Sequence, residues 1–274
     1  KINRSDKKPS YLIICEQSKY VYRVFNNGSL DDGGRFYGGW WQNAPKNIRQ
    51  KIFINGEETV EIDFSGLHIN LLYAIFGLSL KDYPARKNPY QISLNINTDQ
   101  ETKRSMVKQL MLIALNAKDD VSALIAFRNW LVSEGLKSFF TDLKNQTLNK
   151  MCLQPLKQKH DAIKHAFASN AGISLMGADS TIMEEIIRET VALGIIVLPI
   201  HDSVIVQLRY QKAVEGLMKN AFKAFTKDDY APMKTSLPKQ GKKTNRYLAR
   251  EREWKEVRKE AEQSSTITGI AGLI

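Results

Sequence analysis

Two cysteines in 274 residues, Cys15 and Cys152, are too few and too far apart for a disulfide framework or a metal knuckle. Their scarcity leads us to expect a reducing, intracellular setting, cytoplasmic or nucleoid-associated. No apolar run approaches the roughly 20 residues of a membrane span. The closing "STITGIAGLI" is too short and too rich in Gly and Ser/Thr to count as one, so no membrane partner is expected. There is no internal repeat, no low-complexity block and no signal peptide. The chain opens on Lys1 rather than Met, which suggests a piece excised from something longer. Acidic residues are also in deficit, 29 against 40 Lys and Arg, for a formal charge of +11. A polyanionic partner such as nucleic acid suits that balance better than an acidic small molecule.

What is present is a full core. Hydrophobic residues make up 43% of the chain, enough for one large domain or two closely joined subdomains. The pattern is mixed α/β. "SYLIICEQSKYVYRVFNN" reads as two strands, or a strand and a short helix, and "GSLDDGGRFYGG" as a Gly-rich irregular stretch. "IRQKIFINGEETVEIDFS" reads as a β-hairpin turning at Asn55 and Gly56. Helical spacing runs from Leu67 to Phe76. It is clearest in "TDQETKRSMVKQLMLIALNA", which Thr98 or Asp99 can cap. Further helices are expected over Ala123 to Lys144, Leu156 to Ala168, and from Gly177 to a stop at Gly194. A strand follows, interrupted by "PIHDSV". After Pro232 a charged segment reads as a solvated tail or a nucleic-acid arm.

Asp63 and Asp202 both stand at strand ends between apolar residues. Two carboxylates brought close repel, and one tends to stay protonated, unless metal ions supply positive charge. Mg²⁺ favours one or two carboxylates plus substrate phosphates. That is the arrangement for two-metal phosphoryl transfer, though isolated strand-end acids also serve as caps or surface residues. Arg104 and Lys108 are four apart on one helix face. Fixed cations at that spacing can hold successive phosphates of a triphosphate, with Lys103 widening the basic edge. The competing reading is a solvated basic face.

Taken in order, "GRFYGGWWQNAP", "IRQKIFI", "VEIDFSGLHI", "RSMVK" and "LMGADSTIMEEIIRE…LPIHDSVIV" resemble the palm and fingers of family-A DNA polymerases and the related single-subunit RNA polymerases. The likeness covers roughly residues 33 to 210. It implies an α/β (α+β) right-hand palm with an antiparallel sheet and an inserted helical fingers subdomain. The divisions that follow are residues 1–50 as an N-terminal segment with the Gly-Arg and Gln-Asn-x-Pro motifs, 51–84 and 181–231 as the two parts of the palm, 85–180 as the fingers, and 232–274 as a basic tail. The resemblance assigns Asp63 and Asp202, with the backbone carbonyl of Phe64, to two Mg²⁺ ions, Mn²⁺ being an alternative. Arg104 and Lys108 grip the triphosphate, Lys108 also serving as proton donor to pyrophosphate. His201 positions the primer terminus or supports the metal-bearing turn. His68, Leu112, Asn116 and Tyr73 are candidates for the nucleotide pocket, although Tyr73 fits the helix core better. Arg35, Gln42, Asn43 and Arg49 are candidates for primer or template contacts, and Trp40 and Trp41 for stacking on bases or packing as an anchor.

The chain departs from the family pattern in several places. His68 stands five positions after Asp63, where the DNA polymerases usually carry a Glu that blocks a ribose 2′-hydroxyl. Leu112, Asn116 and Ala117 occupy positions where aromatics and a Gly are usual, and Ser203 matches the RNA polymerase branch. Too little precedes Gly34 for a helical thumb or an exonuclease. A reduced or specialised DNA polymerase is implied, tied to replication of a mobile element or phage. Its partners would be primer–template, nucleoside triphosphates, and a separate thumb, helicase or primase. The alternatives are an RNA polymerase or primase on the same fold, or a non-catalytic nucleic-acid-binding relative. A metal-dependent nuclease could use both acids but has no need of Arg104 and Lys108.

Overall fold

The computed structural model describes residues 16–236. Its strands and α-helices follow in the order β1 (Tyr22–Asn26), β2 (Ser29–Tyr37), α1 (Lys46–Arg49), β3 (Phe53–Ile54), β4 (Glu57–Phe64), α2 (Leu67–Ile75), α3 (Gln100–Asn116), α4 (Asp120–Ser133), α5 (Asn145–Leu148), α6 (Gln154–Lys159), α7 (Gly172–Ala192), β5 (Val197–Ile200), β6 (Ser203–Gln207), α8 (Gln211–Thr226) and β7 (Met233–Ser236). All pairings are antiparallel. β1 and β2 form a hairpin of their own, and the main sheet runs β3-β4-β6-β5 with β7 also paired to β4.

The β3–β4 hairpin turns at Asn55 and Gly56, whose φ values of 50° and 76° are the left-handed pair that an Asn-Gly turn supplies. From there β4 alternates. Val60, Ile62 and Phe64 enter the main core together with Val204 and Val206 of β6. Ile182, Met183 and Ile186 of α7 and Met218 and Phe222 of α8 belong to the same cluster, with the Phe64 and Phe222 ring centroids 6.1 Å apart. Thr59, Glu61 and Asp63 therefore take the opposite face, because successive strand residues point to opposite sides. A small second cluster of Trp41, Ile52, Ile200 and Ile205 belongs to that side. It leaves the Asp63 side chain 21% exposed.

Five expectations are revised. "GSLDDGGRFYGG" is not irregular, since Ser29–Tyr37 is a strand whose pairing with β1 shifts register on either side of Phe25. Gly33 and Gly34, at φ 79° and 75°, make the irregularity possible; a Cβ on Gly33 would stand 2.1 Å from the Asn26 Oδ1. Gly177 lets β2 lie on α7, because a Cβ there would come within 2.0 Å of the Asp31 carbonyl oxygen. The helix expected over Ala123 to Lys144 stops at Ser133, where Gly135 turns left-handed at φ 70°. The one expected over Leu156 to Ala168 is α6 followed by a 3₁₀ segment, Asp161–Ala166. The helix read from Gly177 begins earlier, at Gly172, and stops where expected, with Gly194 at φ 67°. Finally, the charged segment after Pro232 opens with β7, which belongs to the sheet. The readings for Ser10 to Cys15 and for the tail after Ser236 lie outside the described residues.

Candidate active site

Asp63 lies one residue from the end of β4, directly opposite Ser203 at the start of β6. The preceding His201 and Asp202 form the turn between β5 and β6. The two acids are stitched together by backbone, since the Phe64 N–H donates to the Asp202 carbonyl oxygen at 3.2 Å. Burial raises the Asp202 carboxyl above the usual carboxylate range, and the negative charge of Asp63 adds to it; its own backbone N–H and the charge of Arg35 offset only part. Like charge is thus concentrated at a point where the chain withdraws it from water.

His201 sits at φ 50°, a left-handed conformation that costs a residue with a Cβ. Its ring meets Tyr37 edge-on at 5.6 Å, and its Nδ1 is buried with no hydrogen-bond partner among the described residues. Burial, then the nearby charge of Arg35, pushes its pKa down, so the imidazole is neutral at physiological pH.

Behind the turn lies a carboxylate that the sequence reading missed. Asp179 on α7 is only 1% exposed. Arg35 donates from Nε to its two oxygens at 3.2 and 3.0 Å and from Nη2 to Oδ2. The His68 Nε2 lies 2.8 Å from the same Oδ2 and 3.1 Å from the Arg35 Nη2. Burial works against the guanidinium charge of Arg35, and the bond and charge of Asp179 more than restore it. Arg35 and His68, expected to touch primer–template and nucleotide respectively, are therefore locked to each other through Asp179. Each side chain stays about one-fifth exposed.

The basic face is built on α3. Asp99 caps it, accepting from the Thr102 N–H at 2.8 Å, so the second of the two capping candidates is the one used. Met106, Val107, Leu110, Met111 and Ala114 turn inward, which leaves Arg104, Lys108, Leu112 and Asn116 in one exposed line at four-residue spacing. The Arg104 guanidinium lies over the Tyr90 ring, 5.0 Å from its centroid. Tyr90 in turn has its hydroxyl pKa pushed up chiefly by burial, opposed by Arg104 and reinforced by the charges of Asp202 and Asp63. The same hydroxyl lies 3.1 Å from where a Cβ on Gly66 would stand, which brings the Arg104 end of the basic line beside the turn that follows β4. Nothing in "KNPYQ" distinguishes Tyr90 from a loop aromatic. At the far end of the line the Asn116 Nδ2 donates to the Leu112 carbonyl at 2.8 Å, and a Cβ on Gly172 would fall 2.0 Å from its Oδ1, so Asn116 sits against the start of α7 while staying exposed.

Other expected contacts are placed differently. Trp41 is 3% exposed and its indole N–H donates to the Pro199 carbonyl at 3.0 Å, so it anchors the β5 end and has no face free for a base. Trp40 meets it edge-on. The Gln42 Nε2 donates to the Phe36 and Pro199 carbonyls at 2.8 and 3.0 Å. Arg49 is spent on Glu61, its Nε and Nη2 donating at 3.1 and 2.9 Å, and on the Ala44 carbonyl. Glu61 in turn accepts from the Ser203 hydroxyl at 3.3 Å. Asn43 remains exposed. Tyr73 is fully buried beside the Nδ1 of His160, 3.2 Å from its hydroxyl, and belongs to the core. A pocket of about 320 Å³ lies beside the acids rather than on them, lined by Tyr22, Val24, Asn26, Gly33, Arg35, Tyr37 and Met176.

Among the described residues no group of three or more His, Cys, Asp or Glu could hold a metal ion. The chain offers two hard carboxylates, and an ion held between them has to complete its shell with water or with phosphates of a bound substrate, which is how Mg²⁺ sites are commonly made. One cation is already at hand. The Lys234 Nζ on β7 lies 2.7 Å from the Asp63 Oδ2.

No helix among the described residues is long and apolar enough to cross a membrane. No protein-family model matches the chain, and no curated protein matches it. Among solved structures, the chain is similar to the POL domain of Pol1 from M. smegmatis in complex with DNA primer-template and dNTP, at 15% identity and a TM-score of 0.40, over 78% of this chain and 47% of that one. The chain thus spans about half the length of that polymerase domain.

Proposed function

We propose that the chain is a template-directed DNA polymerase, extending a primer 3′-hydroxyl with a nucleoside triphosphate. The observation that supports the reading is geometric: Asp63 and Asp202 stand on adjacent strand ends, with the Phe64 N–H on the Asp202 carbonyl, and the Arg104 end of the basic line lies over Tyr90, whose hydroxyl is 3.1 Å from where a Cβ on Gly66 would stand, three residues after Asp63. A nuclease has use for the acids and none for the basic line. In this reading the β3-β4-β6-β5 sheet is the palm and the helices between β4 and β5 contain the fingers.

Asp63 and Asp202 are the ligands for Mg²⁺ or Mn²⁺, with the Phe64 carbonyl as a further oxygen. Two such ions, when bound, lower the pKa of an attacking hydroxyl and stabilise the leaving oxygen. The exposed Arg104 and Lys108 hold the triphosphate, and Lys108 serves as the proton donor to pyrophosphate. Neutral His201 supports the turn that presents Asp202. His68 and Arg35, held still by Asp179, present their remaining exposed edges to nucleotide and primer–template, and Asn43 adds a backbone contact.

Primer extension on a DNA template with Mg²⁺, with dNTPs and NTPs offered separately, tests the reading. Extension with dNTPs is expected, and Asp202→Ala lowers it about a thousand-fold, roughly 4 kcal/mol of barrier. Extension with NTPs alone transfers the reading to an RNA polymerase or primase. Binding of primer–template without extension by either nucleotide set overturns the catalytic reading in favour of a binding protein.

A further inference from the structure

Lys234 is not needed to hold its strand. β7 is fixed by register pairs from Glu61–Ser236 to Phe64–Met233, by the Ser65 N–H donating to the Pro232 carbonyl at 2.7 Å, and by the Thr235 hydroxyl donating to Glu215 at 3.1 Å on the opposite side. Lys234 is the cross-strand partner of Asp63, and its ammonium lies 2.7 Å from the Oδ2 with 59% of the side chain exposed. Directly opposed strand residues have their Cβ atoms close enough for this contact to form without strain. The ammonium thus occupies the open side of Asp63, whose side chain is 21% exposed. It is also a weak tie, because an exposed ion pair pays side-chain entropy and is screened by salt.

We propose that Lys234 is an internal counter-cation of the acid pair: it neutralises Asp63 while no divalent ion is bound, and is displaced when one enters. This deepens the polymerase reading and rests on it for the identity of Asp63 as a metal ligand. A resident ammonium lowers the apparent affinity for a divalent ion by the strength of its own contact, since the ion has to break it. For an exposed pair that amounts to about two- to five-fold. The metal-free site is in this way protected from repulsion between its two carboxylates, and loading is tied to ligands that bring further negative charge, such as the phosphates of a nucleotide.

The test is Mn²⁺ binding to the full chain, followed by electron paramagnetic resonance and calorimetry without nucleotide, in wild type, Lys234→Ala, Lys234→Arg and Asp63→Asn. The expected result is two- to five-fold tighter binding by Lys234→Ala, near-wild-type binding by Lys234→Arg, and loss of that binding in Asp63→Asn, with unchanged circular dichroism for the Lys234 variants. Equal or weaker binding by folded Lys234→Ala, with the Asp63 dependence intact, overturns the role of Lys234 and leaves the metal site standing. Binding absent from every variant, or indifferent to Asp63, overturns the metal-site reading and this inference with it.

Discussion

Asp179 and Asp202 are both carboxylates withdrawn from water, within reach of the same Arg35, and the chain treats them in opposite ways. Asp179 is clasped from two sides by a guanidinium and an imidazole, each brought from a distant element. Asp202 is left with a raised pKa, the charge of Asp63 beside it, and an arginine that bonds to the other acid. Burying a charge is tolerated when partners satisfy it and costly otherwise. The difference therefore separates a carboxylate that its own chain satisfies from one that its own chain leaves only partly compensated. Asp179 fixes the positions of Arg35 and His68, while Asp202 is left beside Asp63 with only part of its burial offset.

The largest effect is expected at Asp179. Asp179→Ala leaves Arg35 without its partner in a half-buried setting, and a loss of about 3–5 kcal/mol in unfolding free energy is expected from denaturant titration. Arg35→Lys is milder. It keeps the charge but gives up the forked geometry, for an expected loss of about 1.5–3 kcal/mol, with the same titration as the check. The smallest effect, and the one of opposite sign, is at Asp202. Because its pKa is raised, the folded protein holds that proton to a higher pH than the unfolded chain does, so stability falls as pH rises through the folded value. Asp202→Asn removes this loss. In metal-free buffer its melting temperature is expected to exceed that of wild type by a few degrees at neutral pH, the gap closing toward about pH 4. A variant that destabilises at neutral pH would place Asp202 in the same class as Asp179.

What the sequence made legible was local. The Asn55-Gly56 turn, the Asp99 cap and the stop at Gly194 are each written in a few adjacent residues, and the line of Arg104 and Lys108 follows from helical spacing alone. The partners of Asp179 could not be read that way. Arg35 is 144 positions away and His68 is 111, and within "MGADSTIMEEIIRE" an Asp looks like any polar helix residue. Lys234 was hidden by composition, because a segment rich in Lys and Glu reads as solvated whether or not its first residues pair with a sheet. β2 was hidden by its glycines, which mark loops in most contexts and here relieve a register shift. Trp41 was read two ways, and only its bond to Pro199 decides for packing.

The placement of β7 has a consequence for how the chain is made. β4 pairs with β6, where Glu61 and Ser203 meet across 142 positions, and then with a strand that leaves the ribosome later still. Contacts of such sequence separation form slowly. Until Met233–Ser236 has been synthesised, the acid-bearing end of β4 is a bare edge, open to strands of other molecules. Nascent chains stalled short of β7 should then be the aggregation-prone species in expression, and what they lack is the same four-residue strand that shields the edge at Asp63.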